Sequence, residues 1–172
     1  GNPCLVKTSS GEFRLYHSYH RIFLTDCLYF EPRFIGLAVS HTIDGPYQRE
    51  PRHLLGPEPE HPLRNRGAGS IKVFADDAGG WWALQNGIYK DVQSRHRSAI
   101  VLLRSSDGYN FEQQKTEPVV SPQPGWKRAF VYAFDPVWHE DELRLYYNAR
   151  DGWLRGKERI GLCIARSAND KR

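Results

Sequence analysis

The stretch AFDPVWHEDELRLYYNARDGWLRGKERIGLCIARS, residues 133–167, decides the reading of this chain. Asp135 to Trp138 reads as a first strand, an acidic turn follows at Glu140-Asp141, and Leu143 to Asn148 alternates as a second. A polar loop then leads to the apolar run Ile160 to Ala165, a third strand. Alternation over four to eight residues between turn formers marks half-buried strands.

The pattern occurs three times. Asn2 to Val6, Phe13 to Ser18 and Ile35 to Ala38 form one copy; Ser70 to Phe74, Trp81 to Asn86 and Ile100 to Leu103 form another. The anchors Ile35, Ile100 and Ile160 lie 65 and 60 residues apart, a little above the usual length of a propeller blade. The first two copies add a fourth segment, Leu54-Leu55 and Val119-Val120, each preceded by an Asp-Gly turn. Antiparallel strands in groups of four, repeated radially, predict an all-β, β-propeller-like array. We expect one domain over 1–172, with blade-like repeats at about 1–60, 68–123 and 129–172.

Asn-Pro or Asp-Pro opening a strand, then Phe-Arg-Leu-Tyr or Leu-Arg-Leu-Tyr-Tyr, then Ile-Gly-Leu-Ala and Asp-Gly, resembles the five-bladed propellers of glycoside hydrolase family 43. The opening Gly1-Asn2-Pro3-Cys4, with Asp26-Cys27 and Phe30 to Gly36, is similar to poorly characterised bacterial and plant members of that group. The resemblance implies a carbohydrate-active propeller, hydrolytic or degenerate. The alternative is a non-catalytic module that binds carbohydrate or another small polar ligand.

Composition agrees with one substantial core: 172 residues, 40% hydrophobic and 13% aromatic. There is no 18-residue apolar run and no leader-like start, although the chain opens at Gly1. Three cysteines (Cys4, Cys27, Cys163) cannot all pair, which favours a reducing, cytoplasmic setting; Cys4 and Cys163 are expected to be buried thiols. The net charge of +4 invites nucleic acid, yet the basic residues are scattered and no recognition motif occurs. We therefore expect neither a nucleic-acid nor a membrane partner, and no cofactor. His17 and His20 have a metal spacing only on a helix, so no metal is expected.

In a propeller the innermost strands line the tunnel. Aligning the copies makes Asn2, Ser70 and Asp135 the three strand starts at its mouth, a placement taken from the family resemblance. Loops between second and third strands rim the same mouth, among them His17, Glu31 and Arg33, then Asn86, and then Arg150, Trp153 and Glu158. A glycosidase needs two carboxylates, one raised in pKa to donate a proton and one ionised. Asp135 and Glu31 are the catalytic candidates. Asp135 otherwise orders a turn before Pro136, and Glu31-Pro32 otherwise positions the Ile35 strand. Asn2, Ser70, Arg33, Arg66 and His17 are candidate sugar contacts, with Trp153 a stacking platform. The family carries carboxylates on successive inner strands where this chain has Asn2 and Ser70, a departure that weakens the case for hydrolysis. Three blades are fewer than a closed propeller needs, so the count predicts either a piece of a longer propeller or a homodimer whose two copies form one six-bladed ring.

Overall fold

The computed structural model describes residues 1–76 and 79–166. Among them no helix occurs, and eleven strands follow one another. The first sheet runs β1 (Cys4–Lys7), β2 (Phe13–Leu24), β3 (Tyr29–Ser40) and β4 (Gln48–Arg49) in spatial order. β5 (Gly67–Asp76), β6 (Gly80–Lys90), β7 (His96–Ser105) and β8 (Glu112–Gln113) repeat that order. β9 (Phe130–His139), β10 (Glu142–Arg150) and β11 (Glu158–Arg166) form a third unit. It is joined to the second by one parallel bridge, Ser98 to Phe130. This is the partial β-propeller that the threefold pattern predicts.

Strand pairing confirms most of the alignment between blades. Ile35 opposes Ser18, Ile100 opposes Asn86 and Ile160 opposes Asn148. The fourth segments return as isolated bridges, Ile35 to Leu55 and Ile100 to Val120. The Ile-Gly-Leu shared by the first and third copies also has a steric cause. A Cβ on Gly36 would lie 2.9 Å from the Tyr19 ring, and one on Gly161 would run into the Tyr147 ring. Tyr147 in turn stacks on Trp126 at 6.0 Å between ring centroids.

Two details depart from the sequence reading. Counting back from the paired residues, Tyr16, Leu84 and Tyr146 face Cys4, Lys72 and Asp135. Asp135 therefore sits two residues further into its strand than Asn2 and Ser70 do, and Ala133 is their equivalent. A bulge between Tyr147 and Asn148 shifts the register, and Ala133 takes a left-handed φ of 41°, as Asn2 does at 50°. The period counted along the chain did not see this slip. The second departure is Ile160, which aligns with the buried Ile35 and Ile100 but is 74% exposed, because among the described residues its face of β11 has no packing partner.

The core lies between sheets. Tyr16, Ile35 and Leu37 of the first blade pack on Ile71, Val101 and Leu103 of the second. Leu84 and Ile100 meet Val131, Phe134 and Leu145 of the third. The second and third blades are pinned at their junction by two buried polar side chains. Asn86 Nδ2 and Ser98 Oγ both donate to the Val131 carbonyl, at 2.8 and 2.7 Å. All three cysteines are free and half-buried, so Cys4 and Cys163 are less enclosed than expected. The Glu140-Asp141 turn is exposed, while Asp76 in the corresponding hairpin of the second blade pairs with Arg104 at 2.8 Å, and Asp77 lies outside the described residues.

Candidate functional site

The sequence reading ends the second strand of blade one at Ser18 and gives residues up to Phe34 to a loop. Instead β2 runs to Leu24 and β3 begins at Tyr29, so the hairpin continues well past the sheet. Its inner face carries Ile22 opposite Glu31 and Leu24 opposite Tyr29. Leu24 and Ile22 pack with Ile88 of the second blade and Phe130 of the third. The hairpin tip is fastened to the second blade by Asp26. Its Oδ2 accepts the His96 backbone N–H at 2.7 Å, and its Oδ1 lies 2.6 Å from His96 Nδ1.

Under this hairpin, where the three blades converge, is a cavity of about 130 Å3. Leu24, Ile88 and Phe130 give it an apolar side, and Glu31, Tyr132, Arg150 and Glu158 a polar one. Burial alone pushes the Glu31 carboxyl up to about 7, so near neutral pH it holds its proton about half the time. Tyr132 is raised by burial and then by its contact with the Glu158 carboxylate. Burial, and after it the charge of Asp26, raises the Cys27 thiol. Arg150 donates to the Trp153 carbonyl at 3.0 Å, while its buried Nε has no partner. A carboxyl raised by burial and a second acidic side chain, both lining one small and partly apolar pocket, are groups able to exchange a proton with a bound ligand. Among the described residues no cluster of His, Cys, Asp or Glu is arranged to hold a metal.

The other sequence candidates scatter around this pocket. Asn2 donates to Ser18 Oγ at 3.2 Å and borders a larger neighbouring depression that Glu31 also lines. Ser70 is buried in β5 and does not line the pocket. Arg66 is tied by its backbone N–H to the Ile88 carbonyl at 3.0 Å. Arg33 is exposed and lies over Phe34 at 5.2 Å. His17 packs against Tyr19, and burial, Arg49 and the amino terminus lower its pKa.

Asp135 stands apart, 66% exposed, with Lys72 Nζ 2.9 Å from its Oδ1. It lines a different depression from Glu31, so the two expected catalytic carboxylates are not brought together. Trp153 is no open platform. Its indole N–H donates to the His96 carbonyl at 2.7 Å, and Arg95, Arg97 and Arg128 lie 4.7, 5.1 and 5.7 Å from its ring.

Sequence reasoning put Glu158, Arg150 and Asn86 only on the rim, and missed Tyr132. The alternation of Val131, Tyr132, Ala133 and Phe134 ahead of Asp135 was the available signal, because it extends the strand towards the tunnel.

No protein-family model matches this sequence, and no curated protein matches it either. Solved structures do. A family 117 glycoside hydrolase of Zobellia galactanivorans superposes with a TM-score of 0.70 at 13% identity, over 97% of this chain and 52% of its own. The α-L-arabinanase of Cellvibrio cellulosa, complexed with arabinohexaose, gives 0.61 at 17% identity, over 99% and 53%. A family 43 β-xylosidase/α-arabinofuranosidase from a compost metagenome, with xylotriose bound, gives 0.56 at 17%, over 84% and 41%. The chain thus has the fold of the propeller glycoside hydrolases, and spans about half the length of these structures.

Proposed function

We propose that this chain is a carbohydrate-active propeller that cleaves glycosidic bonds at the pocket beneath the β2–β3 hairpin. Glu31 is the general acid and Glu158 the second carboxylate. The observation that carries the reading is the burial of Glu31, which raises its carboxyl to about 7 inside a pocket holding another carboxylate. In the step, the bond from the anomeric carbon to the leaving oxygen breaks and that oxygen takes the Glu31 proton. The oxygen of a water bonds to the anomeric carbon, and the water's proton passes to Glu158. Arg150 and Tyr132 hold the sugar hydroxyls. A carbohydrate is the partner, as arabinohexaose and xylotriose are for the arabinanase and the xylosidase. The same reading includes a homodimer, because three blades do not close a ring.

A second reading, a binding module without turnover, is favoured by one observation. The three equivalent inner-strand starts are Asn2, Ser70 and Ala133, none of which can move a proton.

The test is Glu31→Gln. Loss of a general acid lowers turnover by about 10² to 10⁴-fold. That loss is expected with sugar leaving groups and is largely spared with p-nitrophenolate, which leaves without protonation. A variant as active as the parent on both substrates overturns the assignment. Binding without turnover in the parent selects the module.

A further inference from the structure

Three arginines from the second and third blades converge on one tryptophan. Arg95 and Arg97 flank the start of β7, Arg128 precedes β9, and Trp153 lies between β10 and β11. The guanidinium carbons of the three lie 4.7, 5.1 and 5.7 Å from the Trp153 ring centroid. Like charges gathered on one ring repel, and carboxylates or a bound anion offset that repulsion. Among the described residues one carboxylate answers them, Asp91, which pairs with Arg97. Asp26 is taken up by His96, and the Asp151 carboxylate by Arg159 at 3.1 Å, so Arg128 reaches only the Asp151 carbonyl, at 3.0 Å. Arg95 makes no side-chain hydrogen bond among those residues.

The cluster is set before any ligand arrives. Asp91 Oδ1 accepts the backbone N–H groups of Gln93 and Arg95 at 2.9 and 3.0 Å, and Arg97 Nη1 donates to the Arg128 carbonyl. Groups fixed in this way lose little entropy on binding.

We propose that Arg95, Arg97 and Arg128 form a subsite for a tetrahedral oxyanion, the sulfate or phosphate ester of a substituted glycan. The inference rests on the carbohydrate reading above and adds the charge class of the ligand. An ester sulfate or phosphate presents three terminal oxygens, one for each guanidinium, whereas a carboxylate is met by a single fork. Two residues touch both the subsite and the sugar pocket. Phe130 lines the pocket and meets Trp153 edge-on at 6.4 Å, and Arg150 lines it and donates to the Trp153 carbonyl. The guanidiniums already lie over the Trp153 ring, where a nucleic-acid base would have to stack.

Xylotriose in its neutral, monosulfated and monophosphorylated forms, with positional isomers separated, tests this by calorimetry at low salt. The best charged isomer is expected to bind at least about tenfold more tightly than the neutral sugar, and its ester names the source. Arg95→Gln with Arg128→Gln should erase that preference; both side chains are exposed. Arg95→Gln alone, which breaks no hydrogen bond, should lower it and serves where the double variant does not fold. Equal affinity for all forms, or a preference that survives in the variants, overturns the inference. If the neutral sugar does not bind, the carbohydrate reading fails for that glycan and the charged forms alone decide. Binding that is lost in the variants then supports the subsite, and no binding overturns it. A single-stranded oligonucleotide bound more tightly than either ester assigns the arginines to nucleic acid and overturns it as well.

Discussion

Glu31 carries a prediction that does not depend on knowing the substrate. An acid that is harder to ionise in the folded chain binds its proton more tightly there than in the unfolded chain. Its contribution favours folding at low pH and is lost as pH rises from the ordinary value of 4.5 towards about 7. Above that, the buried charge costs on the order of 3 kcal/mol, at about 1.4 kcal/mol per pKa unit. Glu31→Gln keeps the shape and removes the charge. The variant should match the parent near pH 4 and melt higher than it at pH 8. Parallel melting curves across that range would mean the carboxyl is solvated. Of the single residues, Glu31 was legible in the sequence because Glu-Pro-Arg interrupts an otherwise aromatic and apolar stretch from Leu28 to Leu37. Asp135 was misplaced by two positions for a physical reason: the left-handed turn at Ala133 absorbs residues that a count along the chain cannot detect.

At the scale of elements, the three-strand repeat was readable because each sheet buries one face and alternates. The long β2–β3 hairpin was not. His20, Arg21, Thr25 and Asp26 look like loop residues, and what extends the strands past Ser18 and holds their tip in place lies elsewhere in the sequence. Asp26 is fastened to His96, 70 residues away, and Leu24 packs on Ile88 and Phe130. That latch holds Glu31 over the pocket. Asp26→Ala leaves the buried His96 with an unmet N–H and ring nitrogen, at a cost of about 1 to 3 kcal/mol. The loss should be local first. Amide exchange from Ile22 to Glu31 is expected to quicken while β6 and β7 keep their protection. Unchanged exchange in the hairpin would show that apolar packing alone keeps it down.

At the scale of the whole molecule, one sheet face is uncovered among the described residues. Ile160, Leu162 and Ile164 of β11 are 74, 45 and 50% exposed, and Tyr146 and Val137 extend the same face across β10 and β9. At the other end, the first blade presents His17, Tyr19 and Phe34, packed into an aromatic row with His53 and capped by Arg49. A row of aliphatic side chains is what a neighbouring blade covers in a closed propeller, and apolar patches of this kind are seldom left bare. The proposed homodimer sets the third blade of each copy on the first blade of the other, giving six blades around one axis. Such an interface should bury more than about 2,000 Å2 and be obligate. Sedimentation at micromolar concentration is expected to give a dimer, and Leu162→Arg to dissociate it by placing a charge in the middle of the apolar row. The Glu31 pocket lies at the convergence of the three blades of one chain, so the dissociated variant should keep its ligand affinity if it stays folded. A monomeric parent would instead assign the aliphatic face to further blades of a different chain or a longer one.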